Sequence, residues 1–156
     1  MSRLSKVALI LMSLILLVLF GVYRSKARPE NEIDAALRMA RQRRHFLMVE
    51  FGADWCGDCR ALAANLATPE LQEYFKQHFD LLKVDVGQFD RNVDLAKSVG
   101  VDINQGIPTA VFFAPDGKRI GATNQGELAS SSLLGPDQIR TFLHAIVEQY
   151  RVTKPR

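Results

Sequence analysis

Phe46-Leu47-Met48-Val49-Glu50-Phe51 is a nearly continuous apolar run of strand length, broken only by one carboxylate. Such a run suits a central strand covered on both faces. Before it, Asn31 stands where a helix cap belongs, and Ile33, Ala36, Leu37 and Ala40 recur at helical spacing. After it, Leu62, Ala63 and Leu66 mark a helix. Thr68-Pro69 then reads as an N-cap with proline at the first helical position, and Leu71, Tyr74, Phe75 and His78 follow along one stripe. Leu81 to Val86 predicts a second strand, and Asn92 to Val99 a short helix ended by Gly100. Thr109 to Phe113 predicts a third strand, Pro115-Asp116-Gly117 a hairpin turn, and Arg119 to Ala122 the return strand. Ile139, Phe142, Leu143, Ile146, Val147 and Tyr150 form the stripe of a closing helix that begins at Pro136. Phe46, Phe112, Phe113 and Phe142 belong to the core. Alternation followed by a hairpin and a terminal helix predicts an α/β domain, a mixed sheet with helices on both faces.

The pattern divides the chain into a basic tail at 1–6, an apolar segment at 7–23, a linker at 24–30, the domain at 31–150 and a tail at 151–156. Val7 to Tyr23 is interrupted only by Ser13 and Gly21. At 1.5 Å per residue it spans about 25 Å, marginal for a hydrocarbon core of about 30 Å. It reads as an uncleaved single-pass anchor, being longer than an ordinary signal-peptide core of about 7–15 residues. A cleaved signal peptide is the alternative, with Ser25-Lys26-Ala27 as a weak cleavage site and a soluble periplasmic product. Basic residues flank both sides, but long C-terminal domains translocate largely regardless of charge, so the domain is expected outside the cytoplasm.

The composition is 47% hydrophobic and 24% charged, which excludes wholesale disorder. The net charge of +3 could suggest nucleic acid, but its distribution argues against that partner. Residues 1–44 hold the excess base, whereas those after Arg44 carry about 11 basic and 14 acidic side chains. A basic strip beside an apolar segment suits anionic lipid headgroups or, equally, a solvated helix face.

Both cysteines fall in Trp55-Cys56-Gly57-Asp58-Cys59, after the buried strand and at the start of a helix. Three residues of separation put the sulfurs on one side of the first turn, within disulfide reach. The helix N-terminus favours a thiolate, which makes Cys56 the nucleophile and Cys59 the resolving thiol. Gly57 keeps the approach open for another backbone. Other readings are weaker. A c-type haem needs histidine where Arg60 stands. Zinc needs two more ligands, and His45, His78 and His144 have no spacing that supplies them, so no metal is expected. A purely structural bridge would close too small a loop to stabilise much. Redox chemistry that needs no cofactor beyond the Cys56–Cys59 disulfide is the expectation.

Glu50-Phe51-Gly52-Ala53-Asp54-Trp55-Cys56-Gly57-Asp58-Cys59 resembles the active-site segment of the thioredoxin superfamily, and Gly106-Ile107-Pro108-Thr109 resembles its cis-proline loop. The likeness covers roughly residues 31–150. It implies a thioredoxin fold, a cis Ile107–Pro108 bond and substrate peptide docking along Ile107, Pro108 and Thr109. Within the superfamily, Ala53-Asp54-Trp55-Cys56 and Thr68-Pro69-Glu70-Leu71 are similar to the C-terminal thioredoxin-like domain of DsbD, which points to exported electron-transfer proteins. Glu50 stands where thioredoxins carry a buried Asp. In an apolar strand its pKa should be raised, fitting it to take the proton of Cys59. Leu81 occupies the place of that Asp's lysine partner, with Lys83 on the same strand face. Trp55 is expected beside the thiols.

Asp58 replaces the proline common between the glycine and the second cysteine. With Asp54 and Glu50 it should raise the Cys56 pKa and disfavour the reduced form, making the protein an electron donor. The alternative for Asp58 is an exposed side chain screened by solvent. The segments Gly100 to Gly106 and Ala122 to Gly135 are long for their places and either shape a partner groove or vary without function. The resulting expectation is a protein-disulfide reductase anchored in an inner membrane and facing the periplasm. It acts on protein disulfides and is recharged by an upstream thiol reductant, itself a candidate membrane protein. A dedicated reductant for cytochrome c maturation and a non-catalytic binding module are the alternatives.

Overall fold

A computed structural model describes Met12 and residues 31–153, and its main folded unit begins at Glu32. Among the described residues no helix is long and apolar enough to cross a membrane. The expected anchor at 7–23, apart from Met12, and the linker at 24–30 lie outside the described residues.

The elements follow the expected order. Helix α1 (Glu32–Arg43) leads into β1 (Phe46–Gly52), α2 (Gly57–Leu66), α3 (Pro69–His78) and β2 (Phe79–Asp85). Then come α4 (Val93–Ser98), β3 (Thr109–Phe113), β4 (Arg119–Ala122) and α5 (Pro136–Thr153), with short 3-10 turns at Ile103–Gln105 and Ser131–Leu133. The four strands lie in the order β2-β1-β3-β4. β1 is parallel to β2 and antiparallel to β3, and β3 is antiparallel to β4. This is the mixed sheet flanked by helices that defines a thioredoxin fold.

Every residue of β1 is buried, as its apolar run requires. Alternation along the strand sends Leu47, Val49 and Phe51 to one face, where they meet Ile33, Ala36 and Ala40 of α1 and Ala96 of α4. Met48 goes to the other face with Leu62 of α2, Leu71 of α3 and Ile139, Leu143 and Val147 of α5. Glu50 is in phase with Met48 and therefore points to the α2 face.

Several boundaries differ from the sequence reading, most by a residue, and three of them have a local reason. β2 begins at Phe79 rather than Leu81, because Phe79 pairs with Phe46 at the start of the parallel ladder and their rings meet at 5.5 Å. α4 excludes Asn92, which sits at φ 53° and donates its amide to the Asp85 carbonyl at 2.8 Å instead of capping the helix. α5 continues through Thr153, whose hydroxyl donates to the Gln149 carbonyl at 2.9 Å, three residues past the expected end at 150.

Phe112, 1% exposed, packs edge-on against Phe79 and Phe142 in the α2-side core. Phe112→Ala is expected to cost about 3–5 kcal/mol, through lost transfer energy and the cavity left behind, measured as a shift in the urea midpoint.

Candidate active site

β1 ends at Gly52, and four residues later the chain enters α2 at Cys56, its N-cap. Cys56 and Cys59 are joined in a disulfide with their Cα atoms 5.2 Å apart. Both are nearly buried, at 6% and 7% exposure. The Cys59 backbone N–H donates to Cys56 Sγ at 3.1 Å, so a first-turn amide of α2 points at the outer sulfur. Together with the helix dipole, that contact favours negative charge on Cys56. The same sulfur lies 3.4 Å from the Ile107 carbonyl oxygen. The Ile107–Pro108 bond is cis, and Ile107 is 7% exposed. A Cβ built on Gly57 would meet nothing within 4 Å, so the approach to the disulfide is open there.

Below the disulfide, Glu50 is 5% exposed. Burial raises its pKa above the ordinary 4.5, and Lys83 opposes that rise. Lys83 is the register partner of Glu50 in the parallel ladder, whereas Leu81 pairs with Met48. The lysine that faces the buried acid is thus Lys83. A Cβ built on Gly52 would stand 2.6 Å from Glu50 Oε1 and 3.1 Å from Cys59 Sγ. A side chain at position 52 would collide with the carboxylate and crowd the sulfur, so the bare glycine lets both lie close against this point of the backbone. Glu50, Gly52, Cys59 and Lys83 line one pocket of about 200 Å³.

The remaining expected residues are placed less uniformly. Trp55 is half exposed and anchored to the turn after β2. It is 47% exposed, its Nε1–H donates to the Gly87 carbonyl at 2.7 Å, and its ring meets Phe89 edge-on at 5.8 Å. The indole N–H needs an acceptor, and the turn after β2 supplies one. Asp58 accepts a hydrogen bond from the Ser132 backbone N–H at 2.8 Å, and bonds from Ser132 hold its pKa below the usual value. Its carboxylate is therefore ionised and directed at the loop before α5. The Asp54 side chain is exposed, and its carbonyl accepts from Arg60 at 2.7 Å. Thr109 is 2% exposed and its hydroxyl donates to the Thr123 carbonyl at 3.2 Å, so this side chain braces the β3–β4 start and is not presented to a partner. Among the described residues no group of three or more His, Cys, Asp or Glu side chains is placed to hold a metal ion.

Three neighbours of the site escaped the sequence reading. Phe89, in the turn Gly87-Gln88-Phe89-Asp90, carried no periodic signal. Ser132 lay in a featureless serine run. Gly52 carried no signal beyond its place between Glu50 and the cysteines.

Residues 28–115 match the protein family described as Thioredoxin-like. A disulphide isomerase from Xylella fastidiosa Temecula1 has a similar structure, with a TM-score of 0.70 and 34% identity over 78% of this chain and 98% of that one. A thioredoxin of Pseudomonas aeruginosa is 36% identical over 87 residues, 56% of this chain and 71% of the relative. A protein disulfide-isomerase of Schizosaccharomyces pombe is 31% identical over 113 residues, 69% of this chain but 28% of that protein's length.

The raised pKa of Glu50 has a measurable sign. Above pH 4.5 the unfolded chain releases a proton that the folded protein still holds, so Glu50 lowers stability as the pH rises through the folded pKa. Glu50→Gln is expected to gain stability relative to the unaltered protein between pH 4 and pH 8. Urea unfolding of both oxidised proteins at pH 4, 6 and 8 measures this, and a difference independent of pH contradicts it.

Proposed function

This chain belongs to the thioredoxin-like family of thiol–disulfide oxidoreductases, and we propose that it serves as an exported, membrane-anchored reductase of protein disulfides. The observation that carries the reading is the Cys56 sulfur at the start of α2, under the Cys59 N–H and beside the Ile107 carbonyl, with Glu50 buried behind Cys59.

In the reduced protein, Cys56 thiolate attacks one sulfur of a substrate disulfide. The substrate S–S bond breaks, one substrate thiolate leaves, and a mixed disulfide with Cys56 forms. Glu50, in its carboxylate form, accepts the Cys59 proton across the pocket that both residues line. Cys59 then attacks Cys56 Sγ, the second substrate thiolate leaves, and the Cys56–Cys59 disulfide returns. Two electrons have passed to the substrate. Lys83 supports the ionised form of Glu50, and the open pocket lets the proton leave to solvent. Ile107 and Pro108 align the substrate backbone beside Cys56, with Thr109 acting only as their brace. No cofactor enters the cycle, but a thiol reductant must restore the dithiol, and a membrane protein is the natural donor for an anchored domain.

The reducing direction rests on charge. Asp58, Asp54 and Glu50 place carboxylates around the sulfurs, which opposes the helix dipole and makes the reduced form less stable. The length of the apolar segment 7–23 supports the anchor, and the translocation of long C-terminal domains largely regardless of charge supports the periplasmic side.

Cys59→Ser is expected to accumulate mixed disulfides through Cys56, resolved on non-reducing gels and by mass, whereas Cys56→Ser traps none. An empty Cys59→Ser trap leaves only a binding module. The reduction potential of the full chain, equilibrated against dithiothreitol, is expected near or below about −250 mV. A value of about −120 to −180 mV marks an oxidase or isomerase and refutes the electrostatic argument.

A further inference from the structure

Resting on the redox reading above, we propose that the disulfide sits in a docking face for an extended protein segment whose cysteine is flanked by an apolar side chain and by lysine or arginine. The topology gathers the face. β1, β2 and β4 end, and β3 begins, at the same edge of the sheet, so the loops at 53–56, 86–92, 99–108 and 123–135 surround Cys56 together.

Among the large hydrophobic side chains left exposed, three stand on these loops: Trp55 at 47%, Phe89 at 42% and Leu133 at 81%. Trp55 and Phe89 meet edge-on, and Phe89 is held at φ 63°, a backbone conformation uncommon for a bulky residue. Leu133 lies in the turn that Asp58 grips. Asp58 accepts from Ser132 N–H at 2.8 Å, and Asn65 of the same helix donates to the Leu134 carbonyl at 3.0 Å. Two bonds from α2 thus hold the Leu133 turn in place before any partner arrives, which lowers the ordering cost of binding.

Charge selects the occupant. Asp54, Asp58, Asp90, Asp102 and Glu127 lie on this edge. Arg91 is paired with Asp85, whereas Arg60, on the Asp54 carbonyl, and Arg119, on the Val99 and Gly100 carbonyls, keep their charge and are outnumbered by these carboxylates. Lys97 stands near Asp102, whose pKa its bonds to Asn104 and Gln105 hold low. The edge is acidic in a chain of net charge +3, so it attracts a cationic segment and repels an anionic one. The apolar trio supplies the contact for a side chain next to the substrate cysteine.

The test uses the pre-reduced full chain and single-cysteine peptides capped as neutral hydroxyethyl disulfides. Each reaction yields the Cys56–Cys59 disulfide, the free peptide thiol and mercaptoethanol. Three peptides differ only beside the cysteine: leucine with lysines, leucine with glutamates, and serine with lysines. Second-order rates come from acid quench, alkylation and mass. Each is divided by the same peptide's rate with dithiothreitol, which removes the effect of neighbouring charge on the sulfur itself. The leucine–lysine peptide is expected to react at least about tenfold faster than its glutamate twin at low salt, narrowing to about threefold or less in 0.5 M NaCl. It should also exceed the serine–lysine peptide by about threefold or more. Glu127→Lys should narrow the charge preference, and a Phe89→Ser, Leu133→Ser double variant should abolish the preference for leucine. Equal normalised rates for all three peptides, or preferences unchanged in these variants, overturn the docking face. Bis(2-hydroxyethyl) disulfide on the unaltered protein separates the two ideas. If it reacts while the peptides are equal, only the docking face fails; if it is inert, the redox reading fails.

Discussion

β1 is buried along its whole length yet carries Glu50, and the site is built around that conflict. A carboxylate in such a strand is tolerable only with a nearby countercharge or a proton, since burial disfavours the ionised form. The parallel pairing with β2 sets Lys83 opposite Glu50, and Gly52, lacking a side chain, lets the carboxylate lie close against the backbone. The strand then ends directly under α2. A group poised to change its protonation is thereby placed behind the sulfur of Cys59, while the flanking Leu47, Val49 and Phe51 keep the strand anchored in the core.

Opposing fields meet at the other side of the disulfide. The N-terminus of α2 and the Cys59 N–H favour a thiolate on Cys56. In the proposed reducing role, the carboxylates of Asp54 and Asp58 work against it. Asp58 is not a loose surface charge, because Ser132 fixes its direction and keeps it ionised. One side chain between the cysteines thus links the electrostatics of the sulfurs to the position of the loop before α5.

Rigid strands carrying long loops at one edge is a common division of labour, in which the scaffold sets the chemistry and the loops set the choice of partner. Here the Trp55–Phe89 pair and the Leu133 turn are each held by hydrogen bonds, Trp55 to the Gly87 carbonyl and the turn to Asp58 and Asn65. The long segment Ala122 to Gly135, ambiguous as a stretch of sequence, is tied to the redox helix.

Elements whose pattern is a property of consecutive residues were legible in the chain itself. The unbroken run of β1, the stripe from Ile139 to Tyr150 and the three-residue cysteine spacing each reflect local periodicity, which backbone geometry converts directly into strand, helix and first-turn neighbours. The cis-proline loop was legible only through its likeness to a family, since proline by itself does not reveal its isomer. What joins distant residues needed the folded chain. The pairing of Glu50 with Lys83 depends on strand register, the anchoring of Trp55 on a carbonyl 32 residues away, and the Asp58–Ser132 bond on a loop 74 residues on. Thr109, expected on the docking path, sets its hydroxyl on the Thr123 carbonyl, a contact that only the β3–β4 pairing creates. The amino-acid order determined which elements form and where the reactive sulfurs lie, because those are short-range steric and hydrophobic preferences. Tertiary packing alone decided which charges and side chains surround the sulfurs, because such contacts depend on register and loop closure between segments far apart in the chain.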